Sequence, residues 1–366
     1  MPLIIPIFIM NRGCPHRCLF CNERLTAGDR PDHLSAEAFR ETVRACLGSA
    51  GRKSAPVQIA FYGGNFTGMA REEQSRLLEL AAPFLREGAV DGVRISTRPD
   101  HIDPDELAFL AASGVKTVEV GVQSLDDGVL SRSRRGHTSA DAIRAVNLLR
   151  ERGFETGIHL MAGLPGDSPD RFADTIAGVI ALRPDMVRIH PTIVLKGTPL
   201  ADDFREKRYI PLRLAEAVDL CKNALKKLTA AGIPVIRLGL QTTRELEEPG
   251  AVVAGPFDPA FRARVESAIY LEMAEALLAA AREGKANASG AVAFSLSLAD
   301  FSNFLGRRRT NIVAIKKRFG LDAIRIVPDP ALPRHTLALI DGGRILRTDW
   351  SGLITEKRRK DLTASG

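Results

Sequence analysis

The sequence predicts an α/β fold built on a parallel sheet. Two observations predict it: short strand-like apolar runs recur along the first two thirds of the chain, and helical patterns separate them. In chain order the strand-like runs are Leu3 to Met10, Val57 to Tyr62, Val93 to Thr97, Thr117 to Val122, Glu155 to Met161 and Met186 to Pro191. Between them, helices are expected over Ala36 to Leu47, over Arg71 to Leu85 (Leu77, Leu78, Leu80 and Ala81 fall near helical spacing), and over Ala140 to Arg150 and Pro169 to Ala181. A further helix, Leu214 to Ala231, carries Lys222, Lys226 and Lys227 on its polar side. Val235 to Gln241 then reads as a closing strand. Thr242 to Gly250 reads as a boundary, Glu266 to Ala281 as an alanine-rich helix, Glu283 to Gly290 as a linker, and Ala291 to Gly366 as a compact basic segment. The expected division is therefore 1–245, a helical linker region at 246–290, and a C-terminal α/β domain at 291–366.

Composition bounds the class. Of 366 residues 45% are hydrophobic and 26% charged, enough for a buried core and unlike a disordered chain. The longest apolar run, Leu3 to Met10, falls far short of the ~20 residues a membrane helix needs. No basic residue precedes Arg12, so a secretory signal is not expected; the expected location is cytoplasmic, without membrane association. The net charge of +7 is unevenly placed. Ser295 to Gly366 holds 14 Lys and Arg against 7 Asp and Glu, while the preceding residues hold equal numbers of each.

Five cysteines do not make a disulfide scaffold in a chain this long. Cys14, Cys18 and Cys21 crowd into one loop, C-x-x-x-C-x-x-C, directly after the first strand. A structural zinc site prefers four ligands in two separated pairs, and recruiting His16 as the fourth would crowd all of them into one turn. A [4Fe-4S] cube normally takes four cysteines, so three would leave one iron open to another ligand. Cys46 and Cys221 have no partner at ligand spacing and are expected to be buried thiols.

Here the sequence resembles the radical S-adenosylmethionine (SAM) superfamily, through the cysteine loop and an ordered series of later motifs. These are Tyr62-Gly63-Gly64-Asn65, Ile95-Ser-Thr-Arg-Pro-Asp100, Val118-Glu-Val-Gly-Val-Gln-Ser124, Arg134-Arg-Gly-His-Thr138, His159-Leu-Met-Ala-Gly-Leu-Pro165 and His190-Pro-Thr-Ile-Val-Leu-Lys-Gly-Thr-Pro199. Over about residues 4 to 245 the series is similar to the radical SAM core of the elongator catalytic subunit and its short bacterial relatives. The resemblance implies a partial (β/α)6 TIM-like barrel, with the site at its C-terminal rim. It implies that Cys14, Cys18 and Cys21 bind a [4Fe-4S] cluster, with SAM on the open iron and reductive cleavage to a 5′-deoxyadenosyl radical. Reduced flavodoxin or ferredoxin is the implied electron donor.

The resemblance also assigns SAM contacts. Phe20 stands where the family places an aromatic ring against adenine, although a core Phe is the competing reading. The backbone of Gly63 and Gly64 is implied to meet the SAM amino group, and Asn65 departs from the usual Glu or Thr while keeping an acceptor oxygen. Alternation along the fourth strand puts Glu119, Gly121 and Gln123 on one face, where Glu and Gln need partners or a ligand. In the oxygen-independent coproporphyrinogen oxidase branch, Gln123 corresponds to a ribose contact and Arg135 to a carboxylate contact. Ser96 replaces a Glu of that branch, with Arg98 nearby. His159 replaces an Asp at a ribose position; it and His190 could equally be hydrogen-bonded core residues.

Two elongator features are not expected. The chain begins 13 residues before Cys14, without the long tRNA-binding extension, and the tail lacks the acetyl-CoA signature of the acetyltransferase domain. Instead, Phe304 to Gly320 followed by Ala323 to Val327 resembles a K-homology half-motif: helix, Gly-x-x-Gly loop, helix, strand. Arg309 stands at the second glycine position. Gly306, Arg307, Arg308, Arg309, Lys316 and Lys317 are the implied RNA contacts, the charges against phosphate; a merely solvated basic helix is the competing reading. Three functions follow from these features: a radical SAM enzyme modifying RNA, in particular tRNA; one acting on a small anionic metabolite, as in the coproporphyrinogen branch; or a non-catalytic RNA-binding module.

Overall fold

Seven parallel strands form the larger sheet: β1 (Leu3–Phe8), β2 (Val57–Tyr62), β3 (Gly92–Thr97), β4 (Val115–Gln123), β5 (Glu155–Ala162), β6 (Met186–Pro191) and, after the two-residue β7 (Val194–Leu195), β8 (Val235–Leu238). The computed structural model describes residues 2–10, 12–15, 18–28, 34–49, 55–282, 291–341 and 344–358. The sheet order is β1-β2-β3-β4-β5-β6-β8, so neighbours in sequence are neighbours in space and the sheet ends at β1 and β8. This is the partial TIM-like barrel, with β8 as a seventh parallel strand paired to β6. Short β7 pairs separately with β9 (Val252–Ala254).

Period-two alternation divides the strands into two faces. Ile59, Phe61, Val93, Ile95, Val118, Val120, Val122, Ile158, Leu160, Val187 and Ile189 are all fully or almost fully buried. The alternate positions bear polar side chains, among them Gln58, Arg94, Glu119, His159 and Arg188. The intervening helices start where capping chemistry allows. Asp103, Asp126, Thr138 and Ser168 each accept a backbone N–H with the side chain, and Thr138 with Asp141 forms a reciprocal capping box.

The chain divides into two compact units, Met1–Ala217 with Ile233–Pro259, and Val218–Gly232 with Ala260–Gly366. In the second unit a five-stranded sheet runs in the order β11-β10-β12-β13-β14. Its strands are β10 (Ala291–Leu296), β11 (Ala323–Pro328), β12 (Thr336–Asp341), β13 (Arg344–Asp349) and β14 (Thr355–Arg358). β10 and β11 pair in parallel through the helices Phe301–Leu305 and Thr310–Phe319; the other pairings are antiparallel. The α/β class expected for the C-terminal segment is what forms. The helix read as Glu266 to Ala281 runs from Phe261 to Arg282 and packs on β12, β13 and both of those helices. It therefore groups with the tail and not with the linker region expected at 246–290, because its apolar side is covered by the second sheet and its helices. Lys222 and Lys226 also belong to this unit, both pairing with Glu272. The expected linker at 283–290, like His16, lies outside the described residues.

Candidate active site at the strand C-terminal ends

The three cysteines sit on the loop that leaves β1, and a knot of glycines and one asparagine holds that loop in place. Asn65 is completely buried. Its Nδ2 donates to Gly13 O at 2.8 Å, while its Oδ1 accepts from Thr97 Oγ1 at 2.7 Å and from the Arg98 N–H at 3.0 Å. One side chain thus ties the cysteine loop to the end of β3. The approach is too close for larger residues: a Cβ on Gly13, whose φ is +71°, would lie 2.1 Å from Asn65 O, and one on Gly68 would lie 2.2 Å from Gly13 O. Gly64 is similarly confined, 2.8 Å from Arg12 O, and Gly63 turns the chain with φ +81°. Asn65, expected among the cofactor contacts, is shown here as the fastening of the loop. Gly13 and Gly68 share that task and were not singled out from sequence, because a glycine's crowding depends on a segment about 50 residues away.

Cys18 is buried, whereas Cys14 and Cys21 keep accessible surface. Protein packed around the loop and the Glu23 carboxylate push the Cys14 thiol up to about 11 and the Cys21 thiol up to about 12. These groups give up their protons to a metal rather than to neutral water. Among the described residues no three His, Cys, Asp or Glu side chains converge to hold a single metal ion. Phe20 packs one side against the Leu19, Val194, Leu200 and Tyr209 cluster and keeps part of its ring accessible. Cys221 is buried as expected, but Cys46 is only half-buried.

Arg135 reaches the same loop by an unusual turn. The helix Asp127–Arg132 is followed by Arg134 at φ +52° and Gly136 at φ +72°, which aim Arg135 inward between two left-handed residues. Its Nη1 donates to Cys18 Sγ at 3.0 Å and its Nη2 to Gly121 O at 2.6 Å. Arg98, paired with Asp100 at 2.8 Å, donates to Arg135 O at 2.5 Å. Gln123 closes β4 in the left-handed region at φ +68°, buried among these groups. Ser96 is half-buried on β3, two residues before Arg98.

Several polar atoms here are buried with no protein partner: Gln123 Oε1, Arg98 Nη1, Arg135 Nε, His137 Nδ1, His159 Nε2 and His190 Nε2. Proteins rarely leave such groups unmade, so a cluster of them points to a ligand. His159 and His190, each a lone histidine in sequence, meet edge to face across β5 and β6 with ring centroids 4.4 Å apart. Burial, with Arg188 adding to it, lowers the His159 pKa to about 3; burial and His159 itself lower that of His190. Both rings are neutral at physiological pH.

Deeper along the same face the pattern reverses. Glu119 accepts from Arg94 at 2.8 Å and from the Tyr62 hydroxyl at 3.0 Å, and pairs with Arg188 at 2.7 Å. Arg94 also donates to Gln58 at 2.9 Å. A cavity of about 360 Å³ opens at the N-terminal ends of the strands, lined by Ile4, Arg94, Glu155, Met186, Arg188 and Arg237. Volume alone therefore does not mark the site; the unpartnered atoms at the cysteine end do.

Two family models match the chain in succession, the radical SAM superfamily over residues 8–179 and the radical SAM C-terminal domain over residues 184–270. The chain belongs to the radical SAM superfamily. It is an enzyme of that superfamily, and its relatives are elongator-like. A tRNA uridine(34) acetyltransferase of Methanocaldococcus infernus is 25% identical over 60% of this chain and 48% of its own length. That of Dehalococcoides mccartyi is 28% identical over 57% of this chain and 53% of its own. The chain thus spans about half the length of these curated relatives. The archaeal M. infernus Elp3 with an N-terminal deletion (1–46) has the same fold, with a TM-score of 0.57 at 19% identity over 99% of this chain and 76% of that one. Superfamily membership implies SAM and a [4Fe-4S] cluster, and the residues of this chain fit both: three thiols on one fastened loop, beside buried donors and acceptors without partners.

In the second unit, the order helix, Gly306-Arg-Arg-Arg309, helix, strand is present. Gly306, Arg308 and Arg309 all have positive φ, and Arg309 caps the helix Thr310–Phe319 in the left-handed region where the half-motif has glycine. Arg307, Arg308, Arg309 and Lys317 are exposed; Lys316 is half-buried. Among the described residues no helix is long and apolar enough to cross a membrane.

Proposed function

We propose that this chain is a radical SAM enzyme that modifies RNA, in particular tRNA, with the basic second unit anchoring the substrate. The observation that supports the enzymatic site is the coincidence of the fastened three-thiol loop with unpartnered buried polar atoms at the strand ends. Cys14, Cys18 and Cys21 would hold the [4Fe-4S] cluster, which when bound and reduced supplies the electron that splits the SAM sulfonium. Phe20, Gly63, Gly64, Gln123, Arg135 and His159 are the residues that would hold SAM. Asn65 fixes the loop, Gln123 Oε1 offers an acceptor to a hydroxyl, and Arg135 Nε offers a donor to a carboxylate. Neutral His159 and His190 offer hydrogen bonds without adding charge to the chamber. Reduced flavodoxin or ferredoxin would deliver the electron.

Support for RNA is of two kinds: relatives named as acting on tRNA, and the exposed Arg307, Arg308 and Arg309 after Gly306, with Lys316 and Lys317, whose charges suit phosphate. The test is anaerobic reconstitution with iron and sulfide, then assay of 5′-deoxyadenosine formed from SAM and a strong reductant. Activity that survives joint Cys14→Ala, Cys18→Ala and Cys21→Ala would sink the loop assignment. For the substrate, total tRNA should bind with an affinity that falls steeply as salt rises. Salt-independent binding, or turnover of a small anionic metabolite without RNA, would replace the RNA reading.

A further inference from the structure

Of the three cluster cysteines Cys18 is the buried one, and it is the one given a charged donor. Arg135 is itself buried, with 6% of its surface exposed, so solvent does not dilute the interaction. The residue is held at both ends: the guanidinium Nη2 donates to Gly121 O at 2.6 Å, and the backbone carbonyl accepts from Arg98 Nη2 at 2.5 Å. Arg98 is in turn fixed by the Asp100 carboxylate through Nε at 3.0 Å and Nη2 at 2.8 Å. The sulfur is tied to the same turn, because the N–H of Leu19 donates to Ser133 O at 3.2 Å. Donor and acceptor are therefore positioned independently of any ligand.

A cationic N–H donated to a thiolate ligand stabilises the more negative state of the metal centre that thiolate holds. Hydrogen bonds to sulfur are one of the levers that set iron–sulfur potentials. We propose that Arg135 is a potential-setting residue: its hydrogen bond to Cys18 Sγ raises the reduction potential of the cluster, and Arg98 with Gly121 positions it to do so. The inference rests on Cys14, Cys18 and Cys21 holding the cluster. It concerns Nη1 and leaves Nε free for the SAM carboxylate.

The test is an EPR-monitored redox titration of the full-length reconstituted protein without SAM, beside iron and sulfide analysis and a thermal melt. Arg135→Met, which removes charge and donor, should disfavour reduction about tenfold, a negative shift of about 59 mV for one electron. Arg135→Lys, which keeps charge but cannot hold Gly121 O and Cys18 Sγ together, should fall between it and the wild type. A full complement of iron with a wild-type midpoint in Arg135→Met overturns the proposal. So does loss of the cluster from both variants while they melt with the wild type, since Arg135 would then serve retention. If Arg135→Met does not fold, Arg98→Gln takes its place, with a smaller shift of the same sign expected and an unchanged midpoint again overturning the idea. Wild-type protein that takes up no cluster would instead fail the cysteine reading.

Discussion

Glu119 and Gln123 lie four residues apart on the same strand, separated by a bulge that breaks the alternation expected from sequence, and they meet opposite fates. Glu119 is surrounded by Arg94, Arg188 and Tyr62, so its charge is neutralised within the barrel. Gln123, past that bulge and left-handed in its backbone, is equally buried but leaves Oε1 without a partner, in company with atoms of Arg98, Arg135, His159 and His190. In the lower layer the buried carboxylate and its arginines are ion-paired with one another; at the rim, buried polar atoms cluster without protein partners. Burial does not separate the two regions, since both are buried. Satisfaction does.

The sharpest way to break this comparison is Glu119→Ala. It strands Arg188 without its counter-ion and leaves Arg94 only Glu155, 3.6 Å away, and should cost about 3–5 kcal/mol in urea unfolding; a cost under about 1 kcal/mol would mean the lower layer is not scaffold. Next comes Asn65→Ala, which leaves Gly13 O, Thr97 and the Arg98 N–H short of a partner. It should cost roughly 2–4 kcal/mol and lower iron retention, read by melting and metal analysis.

His137 tests the rim through pH. Burial, aided by Arg135, lowers its pKa to about 4 from 6.5, so the unfolded chain takes up the proton first as pH falls. Stability should be full above about pH 6.5, drain as the pH falls toward about 4, and change no further through this group below that. His137→Gln should flatten that part of the profile of melting temperature against pH. Gln123→Ala removes an atom that had no partner and keeps the same left-handed backbone. Unfolding free energy should move by under about 1 kcal/mol, while SAM affinity measured by calorimetry falls about tenfold. The smallest effect on stability, within about 0.5 kcal/mol, belongs to joint Arg307→Gln, Arg308→Gln and Arg309→Gln. That variant should nonetheless show a shallower dependence of tRNA affinity on salt.

Much of this architecture was legible in sequence. β2 and β6 form over the spans expected, and the other barrel strands differ only at their ends, because alternating apolar runs between helical patterns have few other ways to be buried. The cysteine loop was legible because ligand spacing is local. Asn65 was legible as important but not for its role: a side chain's partners come from segments distant in sequence, here Gly13, Thr97 and Arg98. His159 and His190 looked like separate residues for the same reason. The helix Phe261–Arg282 read as part of a linker region because its alanine-rich pattern shows no partner; packing on β12 and β13 supplies one.

By itself the sequence determined the order of strands and helices, the three-thiol loop and the concentration of positive charge after Ser295, all carried by local pattern and composition. Only tertiary structure decided which buried polar groups would be satisfied. Hydrogen bonds at the rim join loops and strands that the chain brings together only on folding. Glu119 became scaffold, Gln123 was left open, and Arg135 was turned onto Cys18, because each outcome depends on distances that no single segment contains.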